Sequence, residues 1–121
     1  MYILCILYGP NNDSPIFFYN IQRIVTSTEV QNVVLVGDYN VTINHDNDNL
    51  NYAAPRNVRA RTKLKEIMQE SDIIDIQREE LGNERKFTWY NKSGPQAARL
   101  DYFLISQSMR PYINLTKDIL P

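Results

Sequence analysis

Val33-Val34-Leu35-Val36-Gly37-Asp38-Tyr39-Asn40 is the stretch on which the reading of this chain turns. Four consecutive apolar residues, three of them β-branched, describe a short strand buried on both faces, and Gly37 stops it. Directly behind the stop stand a carboxylate and an amide two residues apart. At a strand end that spacing points both side chains the same way. In layered α/β folds such a position faces a crevice at the carboxyl edge of the sheet, where ligands bind. Asp38 offers a hard anionic oxygen for a cation, or a base for a water molecule. Asn40 offers a neutral donor for a phosphate oxygen or a developing oxyanion. The same four residues also read as a plain turn after a strand.

Outward from this strand, elements alternate. Tyr2 to Leu7 is a continuous apolar run that reads as another strand covered on both faces, ending in the turn signal Tyr8-Gly9-Pro10. Pro10 to Asp13 is a loop. Pro15 opens a helix with Ser14 placed as its N-cap, and Phe17, Phe18, Ile21, Ile24 and Val25 form its inner stripe. Val41 to Asn57 is polar, Asn-rich and aperiodic, and reads as a long loop of the kind that is functional or mobile. Arg59 to Gln69 is a second amphipathic helix with Leu64, Ile67 and Met68 inside. Ile73 to Ile76 is a short strand or a helix start. Phe87 to Tyr90 has strand composition, Asn91 to Gly94 is a turn, and Leu100 to Ile105 is a further buried strand. Met109 to Leu115 reads as a turn and a last strand-like run. The alternation predicts an α/β layered structure whose sheet is covered on both sides.

Composition narrows the classes. One hundred and twenty-one residues suit one domain at most, and 43% hydrophobic residues suffice for a core. A net charge of −1 argues against a dedicated nucleic-acid clamp, although a local patch can still steer a charged substrate. Cys5 is the single cysteine, so no intrachain disulfide and no cysteine metal cluster form. The apolar start is too short for a membrane span and lacks the basic flank of a signal peptide, which reads as an intracellular chain without a membrane segment. Asp46 to Asn51 fails the calcium-loop pattern and reads as a solvated loop. Arg56, Arg59, Arg61, Lys63 and Lys65 form a basic cluster, either a solvated helix face or a contact for DNA phosphates. Trp89, in an apolar strand, reads as core.

Two further motifs accompany the first. Arg99-Leu100-Asp101-Tyr102 places two charges in an otherwise apolar strand, where they need partners: an ion pair, or a His that the carboxylate orients. Tyr8-Gly9-Pro10-Asn11 places a hydroxyl and an amide at another strand end. Taken together, in order and spacing, these motifs resemble the endonuclease/exonuclease/phosphatase superfamily of DNase I-like and AP-endonuclease-like enzymes. Gly37-Asp38-Tyr39-Asn40 looks like its Gly-Asp-Phe/Tyr-Asn motif, and Arg99 to Tyr102 looks like its Arg-Leu/Ile-Asp-Tyr motif. Phe87-Thr88-Trp89 is similar to the aromatic–Thr strand before it, and Tyr8 to Asn11 to its Tyr-x-Pro-Asn motif. Within that superfamily the chain is most similar to the endonuclease domain of LINE-type non-LTR retrotransposons.

The resemblance implies a partial DNase I-like four-layer α/β sandwich, two mostly antiparallel sheets flanked by helices, with residues 1–121 as the middle and late part of one incomplete domain. It implies a Mg²⁺- or Mn²⁺-dependent endonuclease that nicks DNA during retrotransposition by water attack on a phosphodiester. In it Asp38 acts as base or positions the water, and Asn40 contacts the scissile phosphate. Both approach the metal. Tyr8 hydrogen-bonds the phosphate and Asn11 supports that site. Asp101 holds the catalytic His, while Thr88, Trp89 and Arg99 bind substrate by lining or buttressing the groove. Ala98 stands where relatives often carry Ser. The implied partners are the DNA phosphate backbone and, in a full-length form, a fused reverse transcriptase, with a nuclear location. The family's metal-binding Glu and its Ser-Asp-His motif are absent, and His45, in the Asn-rich loop, reads as an exposed loop residue. The chain alone is therefore expected to be inactive, marginally stable and to bare a sheet edge or an apolar face. The alternatives are a catalytically inactive remnant, or a DNA-repair nuclease or phosphatase of the same superfamily.

Overall fold

The computed structural model describes residues 3–27, 32–52 and 56–113. Strand β1 (Ile3–Tyr8) leads through a loop to helix α1 (Pro15–Thr26), then to β2 (Val33–Asp38). A short helix α2 (His45–Asp48) and a two-residue strand β3 (Asn49–Leu50) precede helix α3 (Val58–Glu70). Next come β4 (Ile73–Asp75), α4 (Ile76–Leu81), β5 (Trp89–Tyr90), β6 (Ala97–Ala98), β7 (Asp101–Ser106) and a 3₁₀ segment (Gln107–Tyr112). Two sheets result. One has the order β1-β2-β7-β4, with β1 parallel to β2 and the other pairs antiparallel; the second is antiparallel, β3-β6-β5.

Strand alternation decides which side chains enter the core. On one face Cys5, Leu7, Val33, Leu35, Tyr102 and Leu104 meet α1 and α3, which contribute Phe18, Ile21, Val25, Ala60, Leu64 and Ile67. Proline at the start of α1 supplies a preset φ, but Ser14 makes no side-chain capping bond. The start of α3 is capped from a distance: the Asp13 carboxylate accepts the Arg59 and Ala60 N–H groups at 3.3 and 2.8 Å, which suits a helix N-terminus. Asp75 ends β4 and caps α4 in turn, accepting the Arg78 N–H.

The opposite face of the larger sheet is only half covered. Val34 and Ile105 pack with Ile76, and Ile74, Phe103, Met109 and Ile113 close around them. Over the β1 half nothing packs among the described residues: Leu4, Ile6 and Tyr8 are 54%, 80% and 82% exposed. The expectation that all three apolar strands are covered on both faces is thus corrected. It holds for β2 and β7 and fails for β1, which lies at the sheet edge. An apolar run states that burial is favourable; it does not state that a partner is present.

Other expectations are also adjusted. The stretch read as one loop, Val41 to Asn57, contains α2 and β3. Ile73 to Ile76 is both of its alternatives in succession, the end of a strand and the start of α4. Phe87 to Tyr90 shrinks to a two-residue strand, and the Ala97–Ala98 strand had no apolar length to announce it. Met109 lies in the 3₁₀ segment, while the rest of that run beyond Ile113, like Tyr2, falls outside the described residues. Among the described residues no helix is long and apolar enough to cross a membrane.

Candidate active site

The register of the larger sheet assembles the site. Tyr8 pairs with Asp38 across β1 and β2, and Asp38 with Asp101 across β2 and β7. Matched positions on neighbouring strands project to the same side. A phenol and two carboxylates therefore stand in a row across three strands at one edge of the sheet. This row opens into a cleft of about 520 Å³. Tyr8, Asn11, Asp38, Asn40 and Asp101 line it from the larger sheet and its loops. Asn49, Trp89 and Ala98 line it from the smaller sheet, Thr88 from just before β5, and Tyr52, Arg56 and Asn57 from the segment before α3.

Backbone chemistry holds the row in place. Gly37 has φ +141°, and a Cβ there would lie 2.1 Å from the Leu7 carbonyl oxygen, so only glycine lets β1 and β2 close above it. Asn40 adopts the left-handed conformation at φ 51°, which asparagine tolerates. Its N–H donates to Asp38 Oδ1 at 2.9 Å and its side-chain NH₂ to the Gly9 carbonyl at 2.6 Å. Asn57 in turn donates to the Asn40 carbonyl at 3.0 Å. With its amide nitrogen engaged, the Asn40 side-chain oxygen remains for a ligand. Burial raises the Asp38 pKa above its ordinary value, the Asn40 N–H opposes the rise, and the facing Asp101 charge adds to it.

Thr88 lines the cleft and also braces it: its hydroxyl oxygen accepts the Leu100 and Asp101 N–H groups at 3.0 and 3.3 Å. Trp89, read from the sequence as core, is 39% exposed. It sits on the outermost, two-residue strand of the smaller sheet, too short to be covered on both faces.

Of the two roles expected for Arg99, lining or buttressing the groove, the structure leaves the second. Arg99 is fully buried and does not line the cleft. Its guanidinium bonds Asp48 through Nε at 2.8 Å and Asp75 through Nη2 at 2.5 Å, and reaches Gln77 through Nη1 at 3.1 Å. Burial works against its charge, but the bonds and charges of Asp75 and Asp48 outweigh that and hold it firmly protonated. Asp48 also receives Arg78 at 2.6 Å, so two cations and two anions neutralise one another inside the fold. Asp48 was missed because the Asp46-to-Asn51 run looks uniformly solvated, yet Asp48 is 0% exposed. The available signal was Arg99, a cation in an apolar stretch that needs anionic partners.

His45 is half-buried at the start of α2, not in an open loop, and its Nδ1 lies 2.9 Å from Asn49 Nδ2. Among the described residues it makes no bond to Asp101. The basic cluster divides. Arg61 is buried and donates to the Thr42 and Arg56 carbonyls, and Lys63 sits 3.9 Å over the Tyr19 ring and pairs with Glu66. Arg56, Arg59 and Lys65 stay exposed, and Arg56 alone of the five lines the cleft.

A divalent cation has a partial donor set here. Among the described residues no three His, Cys, Asp or Glu side chains gather. Asp38, Asp101 and the free Asn40 oxygen fit a Mg²⁺ that keeps several waters and completes its shell with a substrate phosphate, as Mg²⁺ commonly does. They do not fit a closed protein cage.

No protein-family model matches this sequence, and no curated protein matches it. Among solved structures, the crystal structure of AP endonuclease LMAP from Leishmania major is similar, with a TM-score of 0.58 at 18% sequence identity. The match covers 81% of this chain and 34% of that one, so the chain spans about a third of the length of that structure. Two sheets flanked by helices, superposable on that enzyme, make this chain part of a DNase I-like α/β sandwich.

Proposed function

We propose that this chain is the middle and late part of a single endonuclease domain that hydrolyses a DNA phosphodiester with help from Mg²⁺ or Mn²⁺. The observation that carries the reading is the row Tyr8–Asp38–Asp101, joined in one cleft by Asn40, Asn11 and Arg56. Asp38 has the properties of a base for water: it is partly buried, its affinity for a proton is raised, and one oxygen is fixed by the Asn40 N–H. The water oxygen forms the new bond to phosphorus as its proton passes to Asp38, and the phosphorus–alkoxide bond breaks. Tyr8 and Arg56 offer donors to the phosphoryl oxygens, where charge grows in the transition state. A bound Mg²⁺, held by Asp38 and Asn40 with Asp101 nearby, would supply electrostatic stabilisation to the same oxygens.

Asp101 has no His beside it among the described residues, so the His that the sequence resemblance has it hold would come from elsewhere. The fold likeness to an AP endonuclease supports a nuclease, and the motif resemblance supports a LINE-type element in which the domain is fused to a reverse transcriptase and works on nuclear DNA. A second reading, a catalytically inactive remnant, is favoured by the lack of a third acidic or His ligand among the described residues. A DNA-repair nuclease or phosphatase would use the same cleft.

Plasmid nicking with Mg²⁺ tests these readings, comparing the chain, its Asp38→Ala variant, and a version extended by the flanking coding sequence. Nicking by the extended protein that Asp38→Ala abolishes supports the proposal. No nicking by any form, with Mg²⁺ or Mn²⁺, selects the inactive remnant.

A further inference from the structure

Both loops that carry cleft residues from the larger sheet are tied to the start of α3. Asp13, two residues past Asn11 in the loop after β1, accepts the Arg59 and Ala60 N–H groups. Thr42, two residues past Asn40 in the loop after β2, receives the Arg61 guanidinium on its carbonyl and its hydroxyl. The same guanidinium donates to the Arg56 carbonyl at 2.8 Å, and the Arg61 N–H closes the first helical turn on the Asn57 carbonyl at 2.9 Å. Asn57 stands at the N-cap position of α3, with a left-handed backbone at φ 54°. Its side chain caps nothing there. It lines the cleft and donates through Nδ2 to the Asn40 carbonyl at 3.0 Å.

Strand register does not reach Asn40. β2 ends at Asp38, so no ladder bond holds the Asn40 peptide groups. Three separate bonds do that work: its N–H on Asp38 Oδ1, its side-chain NH₂ on the Gly9 carbonyl, and its own carbonyl under Asn57. The first two leave the peptide that follows Asn40 free to rotate. A left-handed backbone at a residue other than glycine persists only where the surroundings over-determine it, and Asn40 is such a residue at φ 51°. From this geometry we infer that Asn57 is a positioning residue. Anchored at the start of α3, it locks the peptide after Asn40 and keeps the Asn40 side chain turned so that its oxygen is left to the cleft. The inference rests on the cleft being the working site of the proposed hydrolysis. An asparagine at this position ordinarily spends its side chain on the N–H groups of its own helix. Here Asp13 takes two of those groups, and Asn57 is left for the cleft.

Isotope-labelled whole chain allows Asn40 to be followed by NMR. Asn57→Gly keeps a residue at ease with positive φ and removes the donor; because Asn57 caps no N–H of α3, the helix loses no bond of its own. In this variant the Asn40 carbonyl ¹³C signal is expected to move upfield as its donor is lost. Solvent exchange of the Asn40 side-chain NH₂ is expected to rise about fivefold, on the order of one neutral hydrogen bond. Thr62→Ala, at an exposed site one turn on in the same helix, removes a bond to the Val58 carbonyl and is expected to move neither signal. If Asn57→Gly does not fold, Asn57→Asp takes its place: it keeps the size, tolerates the left-handed backbone, suits a helix N-terminus and as a carboxylate offers no donor. In an extended form that nicks plasmid with Mg²⁺, the variant is expected to lower kcat by about tenfold with KM little changed, the pattern of a misplaced group. Unchanged Asn40 side-chain exchange in a folded variant, an equal change in Thr62→Ala, or an unchanged kcat in a nicking protein overturns the inference and leaves Asn57 a plain loop brace. An extended wild type that does not nick defeats the proposed hydrolysis instead, and the NMR signals still decide what Asn57 holds.

Discussion

Replacing Ile6 by Thr should be nearly harmless to stability, while Leu35→Ala, one strand away in the same sheet, should be severe. Ile6 is 80% exposed and Leu35 is 0% exposed. Complete burial of an aliphatic side chain is worth about 1.5–3 kcal/mol, so the fifth of Ile6 that is covered contributes roughly 0.3–0.6 kcal/mol. Threonine retains the β-branch, which removes strand propensity from the comparison. Leu35→Ala loses both the transfer energy and the contacts around the resulting cavity, about 2–5 kcal/mol. The total stability of a domain of this size is on the order of 6–18 kcal/mol, so the second change is a large fraction and the first is not. Urea unfolding followed by circular dichroism measures both, through the midpoint at constant slope. A loss of more than about 1.5 kcal/mol for Ile6→Thr would mean that something covers the β1 face, and would refute the half-covered sheet.

Three further outcomes follow from the same geometry. Asp38 binds its proton more tightly in the folded chain than its ordinary 3.8 would allow, so the folded state holds more protons just above that value. Stability conferred by that proton is full below the ordinary carboxylate range and is lost as pH rises through the raised folded pKa. Asp38→Asn should therefore gain on the wild type as pH rises through that window and hold a level advantage above it; urea midpoints against pH check this, and an advantage that shrinks with rising pH contradicts it. Gly9→Ala would put a Cβ 2.4 Å from the Tyr39 carbonyl oxygen, between partners already pinned by bonds of 2.7 and 2.6 Å at Gly9. A displacement of about 1 Å, costing roughly 1–3 kcal/mol, should appear as a lowered urea midpoint with faster exchange at the Gly9 amide. Finally, the chain should melt below about 65 °C in calorimetry, since no described residue covers the β1 half of its larger sheet; a cooperative transition well above that would count against marginal stability.

Much of the site was legible because strand ends and turns are local. Val33 to Asn40 announced a buried strand and two polar groups on one side, and both line the cleft; the expected stop at Gly37 is corrected, since β2 pairs through Gly37 and ends at Asp38. The Tyr8 and Asp101 motifs each named a strand end, but their meeting in one row needed the register of β1, β2 and β7, which no local pattern contains. Trp89 shows the converse. Its apolar neighbours predict burial, yet a two-residue strand at a sheet edge offers no second layer to bury it.

The sequence alone determined the α/β class, both long helices, the core strands and the positions of the chemically capable residues. Helical stripes, strand runs and turn residues are read within a few positions of one another. Tertiary structure decided everything that depends on a distant partner: that Arg99 lies inside the fold between Asp48 and Asp75, that Asp48 is buried within a polar run, and that Arg61 and Lys63 are spent on internal contacts. It also decided that, among the described residues, nothing covers the Leu4, Ile6 and Tyr8 face of β1. A side chain's chemistry is written at its own position, but its burial and its bonds belong to whatever the fold brings beside it, from 24 residues away at Asp75 or 51 at Asp48.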